Sequence, residues 1–413
     1  MKILIYGINY APEPTGIGKY TGEMAEWLAG RGHEVTVVTA PPYYPAWKVA
    51  PGYSSFLYRR EIRNGVRVVR CPLWVPRRPT AVKRLLHLLS FALSGAPVVW
   101  AHAFWKPDVV FAVAPALFCA PDAWISARLC GARSWLHVQD FEVGAAGELG
   151  FLPSWAINAA SILERRIFRR FDRVSSISGA MVRRLTEKGV EADRTRSLVN
   201  WVDTGRFRPD PAAGADFRRR WNIPPDVFMV LYSGNMGRKQ GLDLLLKAAS
   251  WLAGRKDVLF VLAGDGSERK TLESLAAGME NVRFFPLMPE EEMPSFLNAA
   301  DLHLVLQRKG AADLVMPSKL TAILAVGGRF LVTAEPGTEL ARLAGELPSA
   351  VSLVPPENPE ALAEAVTAMK AESTRGPDDA SRRMAEERFG KEMVLGRLES
   401  ELNALIVHGR KQC

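Results

Sequence analysis

Residues 3–39 read ILIYGINYAPEPTGIGKYTGEMAEWLAGRGHEVTVVT, and this stretch decides the fold of the first half of the chain. The apolar runs 3–7 and 34–39 predict two buried strands, and the segment 16–28 between them predicts a helix. A strand, a helix and a second strand in this order form a β-α-β unit, whose strands lie parallel in one sheet. The chain therefore opens with an α/β domain of the doubly wound type.

The same alternation of short apolar runs with helical stretches continues along the chain. Further strands are predicted at 66–70, 108–113, 134–138 and 173–176, and then at 228–233, 258–263, 281–285, 302–306 and 330–333. Apolar runs of this kind are typical of parallel strands covered by helices on both faces. The sequence predicts two Rossmann-like parallel-sheet domains. Because such sheets bind ligands beyond the carboxyl ends of their strands, we expect the active site in a cleft between them.

The domain bounds follow from composition. The stretch 203–225 holds four prolines, and we interpret it as a hinge linker. Beyond Pro377 the sequence is charged and helical, without a new strand pattern. We expect an N-terminal domain over 1–202, a C-terminal domain over 203–378, and a helical tail over 379–413 that packs back across both.

Overall composition excludes several classes of protein. The chain has 413 residues, 48% apolar and 23% charged, which does not fit a disordered, fibrous or disulfide-rich protein. Its four cysteines show no metal-binding or C-x-x-C spacing, which favours free thiols in a reducing compartment. The first residues lack the succession of a secretory signal, so we expect a cytoplasmic protein.

Positive charge is concentrated in one region. The net charge is +9, and residues 59–84 hold nine Arg and Lys against the single Glu61, so an anionic partner is expected there. No interleaving of basic and aromatic residues supports nucleic-acid binding. The next region, 85–105, has no formal charge and is long enough to span a membrane, although Pro97 predicts a break into two short helices.

The start of this region has a helical pattern. Its polar residues fall on one narrow stripe, formed by Lys83, Arg84, His87 and Ser90. A wide apolar arc beside a basic stripe predicts a helix that lies on a membrane surface, and a mostly buried core helix is the alternative. The candidate contacts to a membrane or an acceptor are Arg77, Arg78, Lys83 and Arg84.

A glycine-rich loop precedes the first helix. The spacing from Gly16 to Gly18 resembles a dinucleotide loop, but eight residues separate Gly7 from Gly16 and no acidic residue ends the second strand. A helix N-terminus with free N–H groups suits a phosphate or a sugar hydroxyl. Glycines required only for tight packing are the alternative.

Two further segments in the second half point to an anion. Arg238 and Lys239 stand at a predicted helix start, where a cation opposes the helix dipole and an anion would relieve the conflict. Lys319 follows Pro317 at another helix start. Two such sites indicate a diphosphate, and solvation of the cations is the alternative. A separate glycine segment, 264–266, follows a predicted strand and is consistent with a simple turn.

Taken together, these segments resemble the family 4 retaining glycosyltransferases of GT-B fold, in particular the colanic-acid and exopolysaccharide branch. The segments that carry the resemblance are NYAPEPTGIG at 9–18, LHVQDFE at 136–142, NWVD at 200–203, YSGNMGRKQG at 232–241, AGDG at 263–266 and PSKL at 317–320. They span almost the whole chain, and their order is specific to the family.

The resemblance implies a metal-independent hexosyltransferase with no cofactor, whose second domain holds a UDP- or GDP-linked sugar donor and whose first domain holds the acceptor. The donor-binding residues it implies are Gly16, Gly18, Ser233, Gly234, Asn235, Gln240, Gly264, Gly266, Phe285, Asp313, Ser318 and Lys319. The catalytic candidates are Asp140, His137, Lys239 and Arg238.

The sequence departs from the family pattern at three places. Asn235 and Gln240 replace the usual Arg and Lys, so Arg238 and Lys239 are the nearest cations. The usual E-x7-E pair is Leu314 and Ala322, with Asp313 as the nearest carboxylate. Gln139 stands where the family has a histidine, whereas Asp140 persists and His137 shares the face of Gln139.

Three functions follow as hypotheses. The leading one is a glycosyltransferase, peripheral on the inner face of the plasma membrane, that adds a sugar to a polyprenyl-diphosphate-linked oligosaccharide. The departures motivate a second, a non-catalytic nucleotide-sugar-binding subunit of a polysaccharide assembly complex. The third is a GT-B-type sugar-nucleotide epimerase, with His137, Asp140 and Glu142 as acids and bases.

Overall fold

The computed structural model describes residues 1–13, 16–78, 80–114, 118–141, 154–309, 318–372 and 376–410. The chain forms two compact units. The first comprises Met1–Val199 together with Leu395–Cys413, and the second comprises Asn200–Val394.

The first unit is built on an eight-stranded sheet with the order β3-β4-β2-β1-β5-β6-β7-β8. Its strands are β1 (Lys2–Gly7), β2 (Glu34–Thr39), β3 (Arg59–Arg63), β4 (Val66–Arg70), β5 (Val109–Ala114), β6 (Arg133–Val138), β7 (Arg173–Ser176) and β8 (Thr195–Ser197). All pair in parallel except β3 and β4. The predicted parallel sheet is confirmed, and the antiparallel edge strand β3 was not predicted because its sequence RREIR has no apolar run.

Helices cover this sheet. They are α1 (Gly16–Gly30), α2 (Ala81–Ala101), α3 (Cys119–Cys130), α4 (Ser154–Phe168) and α5 (Gly179–Glu187), with short 3-10 turns at His102–Trp105 and Ala192–Arg194. The predicted break at Pro97 is wrong, because α2 runs through it. Pro97 is on the exposed side, while Phe91, Gly95 and Val99 are buried around it. The Phe91 ring lies 5.5 Å from that of Tyr6 in β1, and the carbonyl of Val99 accepts from Oγ of Ser126 in α3 at 3.0 Å, so tertiary contacts hold the helix on both sides of the proline.

The second unit is built on a six-stranded parallel sheet with the order β11-β10-β9-β12-β13-β14. Its strands are β9 (Phe228–Ser233), β10 (Val258–Ala263), β11 (Val282–Phe285), β12 (Leu302–Val305), β13 (Phe330–Thr333) and β14 (Val351–Val354). Its helices are α6 (Pro211–Arg220), α7 (Leu242–Trp251), α8 (Arg269–Leu275), α9 (Met293–Asn298), α10 (Ser318–Ala325), α11 (Glu339–Glu346), α12 (Pro359–Ala371) and α13 (Asp379–Met384), with 3-10 turns at Arg238–Gln240 and Glu290–Glu292.

The interpretation of 203–225 as a hinge linker is wrong. This stretch contains α6, which packs directly on α9: a Cβ atom on Gly214 would lie 2.3 Å from the carbonyl oxygen of Asn298. Phe217 is fully buried, and the guanidinium of Arg218 donates to the carbonyl of Ala299 at 2.7 Å and pairs with Asp301. The prolines flank a helix of the second unit, so most of this stretch is packed into that unit.

The C-terminal segment is shared by the two units. After α13, a π-helical turn covers Ala385–Phe389, and α14 covers Lys391–Arg410. From Leu395 onward, α14 belongs to the first unit. There Glu399 lies 2.8 Å from Nε2 of His33, and Glu401 lies 2.9 Å from Nε of Arg196. These side-chain contacts join the last helix to the first sheet.

Candidate functional site

Two glycine loops lie against each other at one edge of the second sheet. β9 and β10 are adjacent and parallel, so the loops that follow Ser233 and Ala263 leave the sheet at the same end. The N–H of Gly234 donates to the carbonyl of Ala263 at 2.9 Å, and the N–H of Met236 donates to the carbonyl of Asp265 at 2.8 Å. The loops therefore form one hydrogen-bonded layer.

This contact requires glycine at two predicted donor-binding positions. A Cβ atom on Gly264 would lie 1.9 Å from the carbonyl oxygen of Gly234, and one on Gly266 would lie 2.5 Å from the carbonyl oxygen of Met236. Their φ angles are +138° and +157°, which L residues rarely adopt. Close approach of the two loops thus explains both glycines, and the alternative of a simple turn does not.

The predicted cations Arg238 and Lys239 lie next to this layer. They form a 3-10 turn that ends at Gly241, whose φ is +65°, so they precede the first turn of α7. Both side chains are exposed, and neither pairs with a carboxylate in the described part of the chain. Two cations that are unpaired within the described part of the chain can bind an anion such as a diphosphate.

Arg308, a residue that the sequence did not single out, holds this turn in place. Its Nε donates to the carbonyl of Arg238 at 3.0 Å, and its backbone N–H donates to the carbonyl of Lys239 at 2.9 Å. Its guanidinium also lies 2.7 Å from the carboxylate of Asp243 in α7. The sequence offers one signal for Arg308, namely its position three residues after β12, a strand of the same sheet.

Lys319 joins the same edge from α10. Its Nζ lies 3.9 Å from the centroid of the Tyr232 ring, and the Tyr232 hydroxyl donates to the carbonyl of Asn235 at 2.7 Å. Burial lowers the pKa of Lys319 to about 7. A Cβ atom on Gly234 would lie 4.0 Å from Cδ of Lys319. The structure thus brings Lys319 together with the predicted residues Ser233, Gly234 and Asn235.

Other predicted donor contacts have different positions. The Phe285 ring is buried in an aromatic cluster and stacks on Trp221 at 4.4 Å, and its carbonyl accepts from the guanidinium of Arg269 at 3.0 Å. Gln240 lines a small cavity with Gln307 and Thr333, at the carboxyl ends of β12 and β13. Asp313 and the side chain of Ser318 lie outside the described residues.

In the first unit, a buried carboxylate organises the predicted glycine loop. Glu13 accepts hydrogen bonds from Nδ2 of Asn9 at 2.9 Å, from the N–H of Tyr43 at 3.1 Å and from the N–H of Tyr44 at 3.0 Å. A Cβ atom on Gly18 would lie 2.5 Å from Oε2 of Glu13, so tight packing explains that glycine. Gly16, with φ of +63°, is exposed at the start of α1 and is free to meet a ligand.

A buried arginine supports the same loop. Arg70 in β4 donates to the carbonyls of Ala11 and Ala40, and its Nε lies 2.9 Å from the carboxylate of Glu61. Its guanidinium also lies 5.4 Å from the centroid of the Tyr10 ring. Arg70 therefore ties the loops after β1 and β2 together, a role that its place in a charged stretch did not indicate.

The two catalytic candidates of β6 differ in position. Asp140 is exposed just beyond the carboxyl end of the strand. His137 is buried inside the sheet, with Nδ1 at 2.9 Å from Oγ of Ser175, and burial lowers its pKa to about 3. His137 is therefore neutral, and its side chain is buried beside β7, whereas Asp140 is exposed. The described residues contain no cluster of three or more His, Cys, Asp or Glu that could hold a metal ion.

The predicted polar stripe of α2 is divided: Lys83 and Arg84 are exposed, whereas His87 and Ser90 face inward, contrary to expectation. His87 is buried, with Nδ1 at 2.7 Å from the carbonyl of Trp74, and Oγ of Ser90 accepts from the N–H of Trp74 at 3.0 Å. The opposite face is exposed and apolar, and it consists of Val82, Leu85, Leu86, Leu89, Leu93 and Trp100. We call this set the α2 apolar face. The structure thus combines a buried face with an exposed apolar one.

The α2 apolar face continues onto neighbouring loops. The Tyr58 hydroxyl donates to the carbonyl of Ser94 at 2.9 Å, which places the exposed Phe56 and Leu57 beside the helix. Among the described residues, one segment, Val82–Trp105, is long and apolar enough to cross a membrane, a test that core helices of soluble proteins also pass. Its packing against the sheet identifies α2 as a sheet-covering helix.

The positive charge around this face is smaller than the composition implies. Four of the nine cations in 59–84 form ion pairs with carboxylates, namely Arg59, Arg63, Arg67 and Arg70. Arg77, Arg78 and Lys83 are exposed and make no ion pair with the described residues. Arg84 lies 5.6 Å from the centroid of the Trp47 ring.

Comparison with known proteins addresses what this architecture does. Residues 15–201 match a model described as a glycosyl transferase 4-like domain, and residues 215–388 match glycosyl transferases group 1. The chain is 47% identical over 369 residues to the putative colanic acid biosynthesis glycosyl transferase WcaI of Escherichia coli K12, covering 88% of this chain and 90% of that protein. It is 32% identical to a GDP-mannose-dependent α-(1-6)-phosphatidylinositol monomannoside mannosyltransferase of Mycobacterium tuberculosis, covering 76% of this chain and 74% of that protein.

Solved structures share the fold at low identity. Sucrose-phosphate synthase from Thermosynechococcus elongatus superposes with a TM-score of 0.76 at 18% identity, over 98% of this chain and 99% of that one. HepE of Anabaena, solved with UDP-glucose, gives a TM-score of 0.68 at 17% identity, over 98% and 100%. The two relatives at 47% and 32% identity are named as transferases, and they do not favour the epimerase or the non-catalytic subunit. The chain belongs to the GT-B glycosyltransferases of the glycosyl transferase 4-like and group 1 families, and it is a glycosyltransferase.

Proposed function

We propose that this glycosyltransferase moves a hexosyl residue from a GDP-linked sugar to a lipid-linked oligosaccharide on the inner face of the plasma membrane, in the synthesis of a colanic-acid-type exopolysaccharide. The relative that is 47% identical is named for that process. The observation that carries the lipid-linked part is the α2 apolar face, because it exposes a row of large apolar side chains beside unpaired cations.

The donor proposal rests on the glycine-loop layer of the second unit. Arg238, Lys239 and Lys319 are three cations around the N–H groups that follow β9, a set that suits a diphosphate. We favour GDP over UDP because the relative at 32% identity is named GDP-mannose-dependent, whereas the UDP complex with the same fold is only 17% identical. No cofactor beyond the nucleotide sugar is required by this scheme, and we expect turnover to persist in EDTA.

The chemistry follows from the position of these groups. Transfer breaks the bond between the anomeric carbon and the diphosphate oxygen and forms a bond to an acceptor hydroxyl oxygen. The proton of that hydroxyl passes to the departing phosphate. Retention of configuration requires the hydroxyl oxygen to attack the same face of the sugar from which the diphosphate leaves. Lys319, Arg238 and Lys239 stabilise the charge that develops on the leaving diphosphate, and this stabilisation is strongest where water is excluded. The exposed Asp140 is the carboxylate we assign to the acceptor side.

A thermal-shift screen tests the donor. GDP and GDP-mannose should raise the melting temperature, whereas UDP, ADP and UDP-glucose should not, because only a ligand of the native state stabilises it. A Lys319→Ala variant should lose most of the shift. A shift confined to uridine nucleotides would replace GDP by UDP, and no shift with any nucleotide would contradict the proposed donor site.

The membrane part of the proposal has a separate physical basis. Burying apolar surface stabilises by about 25 cal/mol per Å². A cation near an anionic surface adds about 1 kcal/mol. The exposed Leu86 and Leu93 provide the first contribution, and Arg77, Arg78 and Lys83 provide the second. The mycobacterial relative is named for a phosphatidylinositol-based acceptor, which is a lipid.

Vesicle sedimentation tests this surface. The protein should pellet with vesicles rich in phosphatidylglycerol and less with phosphatidylcholine alone. Two variants should release the protein from the vesicles. One combines Leu86→Ser with Leu93→Ser, and the other combines Arg77→Glu, Arg78→Glu and Lys83→Glu. Trp251→Ser is the matched control, because Trp251 is an exposed apolar residue of the second unit. Arg84 is left unchanged because of its contact with Trp47. Undiminished pelleting of both variants would contradict membrane docking through α2.

A further inference from the structure

The loop after β2 places an aromatic side chain next to the start of α1. β1 and β2 are adjacent and parallel, so the loops that follow them leave the sheet at the same edge. A Cβ atom on Gly16 would lie 4.0 Å from Cε1 of Tyr44. The Tyr44 ring therefore lies beside the exposed N-terminus of α1, where free N–H groups can bind a hydroxyl or a phosphate.

Tyr44 does not contribute its ring to the core, whereas the preceding tyrosine does. Tyr43 is buried, with its ring centroid 4.7 Å from that of His87 and 5.7 Å from that of Trp47. Tyr44 is 42% exposed. Packing of the first unit thus explains Tyr43, and it leaves the ring of Tyr44 available to a ligand.

The backbone at Tyr44 is fixed to the glycine loop by the buried Glu13 carboxylate. Oε1 of Glu13 accepts from the N–H of both Tyr43 and Tyr44, and Oε2 accepts from Asn9 and packs on Gly18. One carboxylate therefore holds the loops after β1 and β2 in a single arrangement. A loop backbone held in this way loses less freedom when a ligand binds, which favours binding.

From this geometry we propose that the Tyr44 ring is the platform for the pyranose ring of the acceptor that receives the sugar, and that Glu13 is the positioning residue that holds the platform beside Gly16. The chemistry fits: a flat aromatic face packs against the C–H face of a pyranose, while polar groups at the rim bind its hydroxyls. This inference rests on the proposed function, because it assigns the acceptor of that reaction to the first unit.

The binding test uses soluble probes and does not depend on transfer. Saturation-transfer-difference NMR is recorded on n-octyl β-D-glucopyranoside and n-octyl β-D-galactopyranoside below their micelle concentrations, with GDP present. We expect saturation of the sugar ring protons in the wild type and in Tyr44→Phe, and loss of that saturation in Tyr44→Ala. Saturation that is unchanged in Tyr44→Ala, or absent from the wild type for both probes, would overturn the inference.

Kinetics supply the second readout where transfer is observed. Tyr44→Ala should raise the acceptor KM about tenfold, the equivalent of one stacked ring, with the donor KM and donor hydrolysis unchanged. Tyr44→Phe should restore the KM, and Trp251→Ala should leave it unchanged. Glu13→Gln should raise the acceptor KM less than Glu13→Ala. The melting temperatures of both variants are measured as well, to detect a loss of folding. If the wild type transfers no sugar from any nucleotide donor while the NMR contrast persists, the proposed function fails and the sugar platform stands.

Discussion

The ammonium nitrogen of Lys319 lies 3.9 Å from the centroid of the Tyr232 ring, and the Tyr232 hydroxyl donates to the carbonyl of Asn235 in the glycine loop. A cation over an aromatic face is stabilised, but burial opposes the charge and lowers the pKa of this lysine to about 7. The neighbouring His303 is buried and stays neutral, because burial and the Lys319 charge lower its pKa to about 3. Lys319 is thus a cation whose charge depends on what binds beside it.

The first prediction is that GDP binding takes up a proton near pH 8. Above pH 7 the free protein holds Lys319 largely neutral, whereas a bound diphosphate raises its pKa and restores the charge. Affinity should therefore fall as the pH rises from 7 to 9. Calorimetry in HEPES and in Tris, whose ionisation enthalpies differ, measures the uptake directly. Lys319→Arg should bind GDP without this dependence, and equal heats in the two buffers for the wild type would refute the assignment.

The same group makes a prediction for stability. The folded-state pKa of Lys319 lies below the unfolded value, so the unfolded chain binds more protons between about pH 7 and 10. The free energy of unfolding should rise with pH across that window, and more steeply in the wild type than in Lys319→Met. Urea titrations at several pH values measure this difference. Identical pH slopes for the two proteins would show that Lys319 is not desolvated in the fold.

The contact between the glycine loops predicts a large penalty for a single methyl group. Gly264→Ala would bring a Cβ atom within 1.9 Å of the Gly234 carbonyl at a φ of +138°. We expect a loss of about 2 kcal/mol or more in unfolding free energy, together with weaker GDP binding. Gly254→Ala is the matched control, because a Cβ atom there meets no other atom within 4 Å. Equal denaturation midpoints for the two variants would contradict the loop layer.

Arg308 provides a test of the turn that carries Arg238 and Lys239. Arg308→Gln removes the guanidinium contacts to the Arg238 carbonyl and to Asp243, so the turn should lose its fixed position. GDP affinity should fall about tenfold, the equivalent of one charged hydrogen bond. The control is Arg255→Gln, which removes an exposed pair with Asp257 before β10. Titration calorimetry compares them, and a similar affinity in both variants would show that Arg308 does not act on the donor site.

Local sequence pattern predicted the central strands of both sheets, because a parallel strand buried on both faces is an apolar run, but it missed the edge strands β3, β8 and β14. The local pattern did not predict features that depend on which helices and strands contact one another. Arg308 follows β12, and it reaches the Arg238 turn because β12 pairs with β9, a pairing that no local pattern encodes. Two residues of the polar stripe of α2, His87 and Ser90, were predicted on the surface for a similar reason, whereas Lys83 and Arg84 are exposed as predicted. His87 and Ser90 find partners on Trp74, and this long-range contact determines which face of the helix is buried.

Proline patterns were also ambiguous, because their effect depends on the tertiary contacts of the residues around them. Pro97 predicted a break, but the residues on both sides of it pack against the sheet and the helix continues. The prolines of 203–225 predicted a linker, but Pro211 begins α6, whose Gly214 lies directly on Asn298. In each case the tertiary packing stabilises the helix by more than the local preference of proline destabilises it.

The final prediction separates the two candidates of β6. Asp140 lies exposed beyond the strand end, whereas His137 is buried and neutral beside Ser175. If Asp140 acts on the acceptor, Asp140→Asn should lower kcat about a hundredfold, within the range of one acid–base group, and leave GDP binding and the melting temperature unchanged. His137→Asn should lower the melting temperature and leave kcat at 25 °C near that of the wild type. The opposite pattern, with kcat lost in His137→Asn and retained in Asp140→Asn, would return His137 to the catalytic role and would require the sheet to open at β6 during turnover.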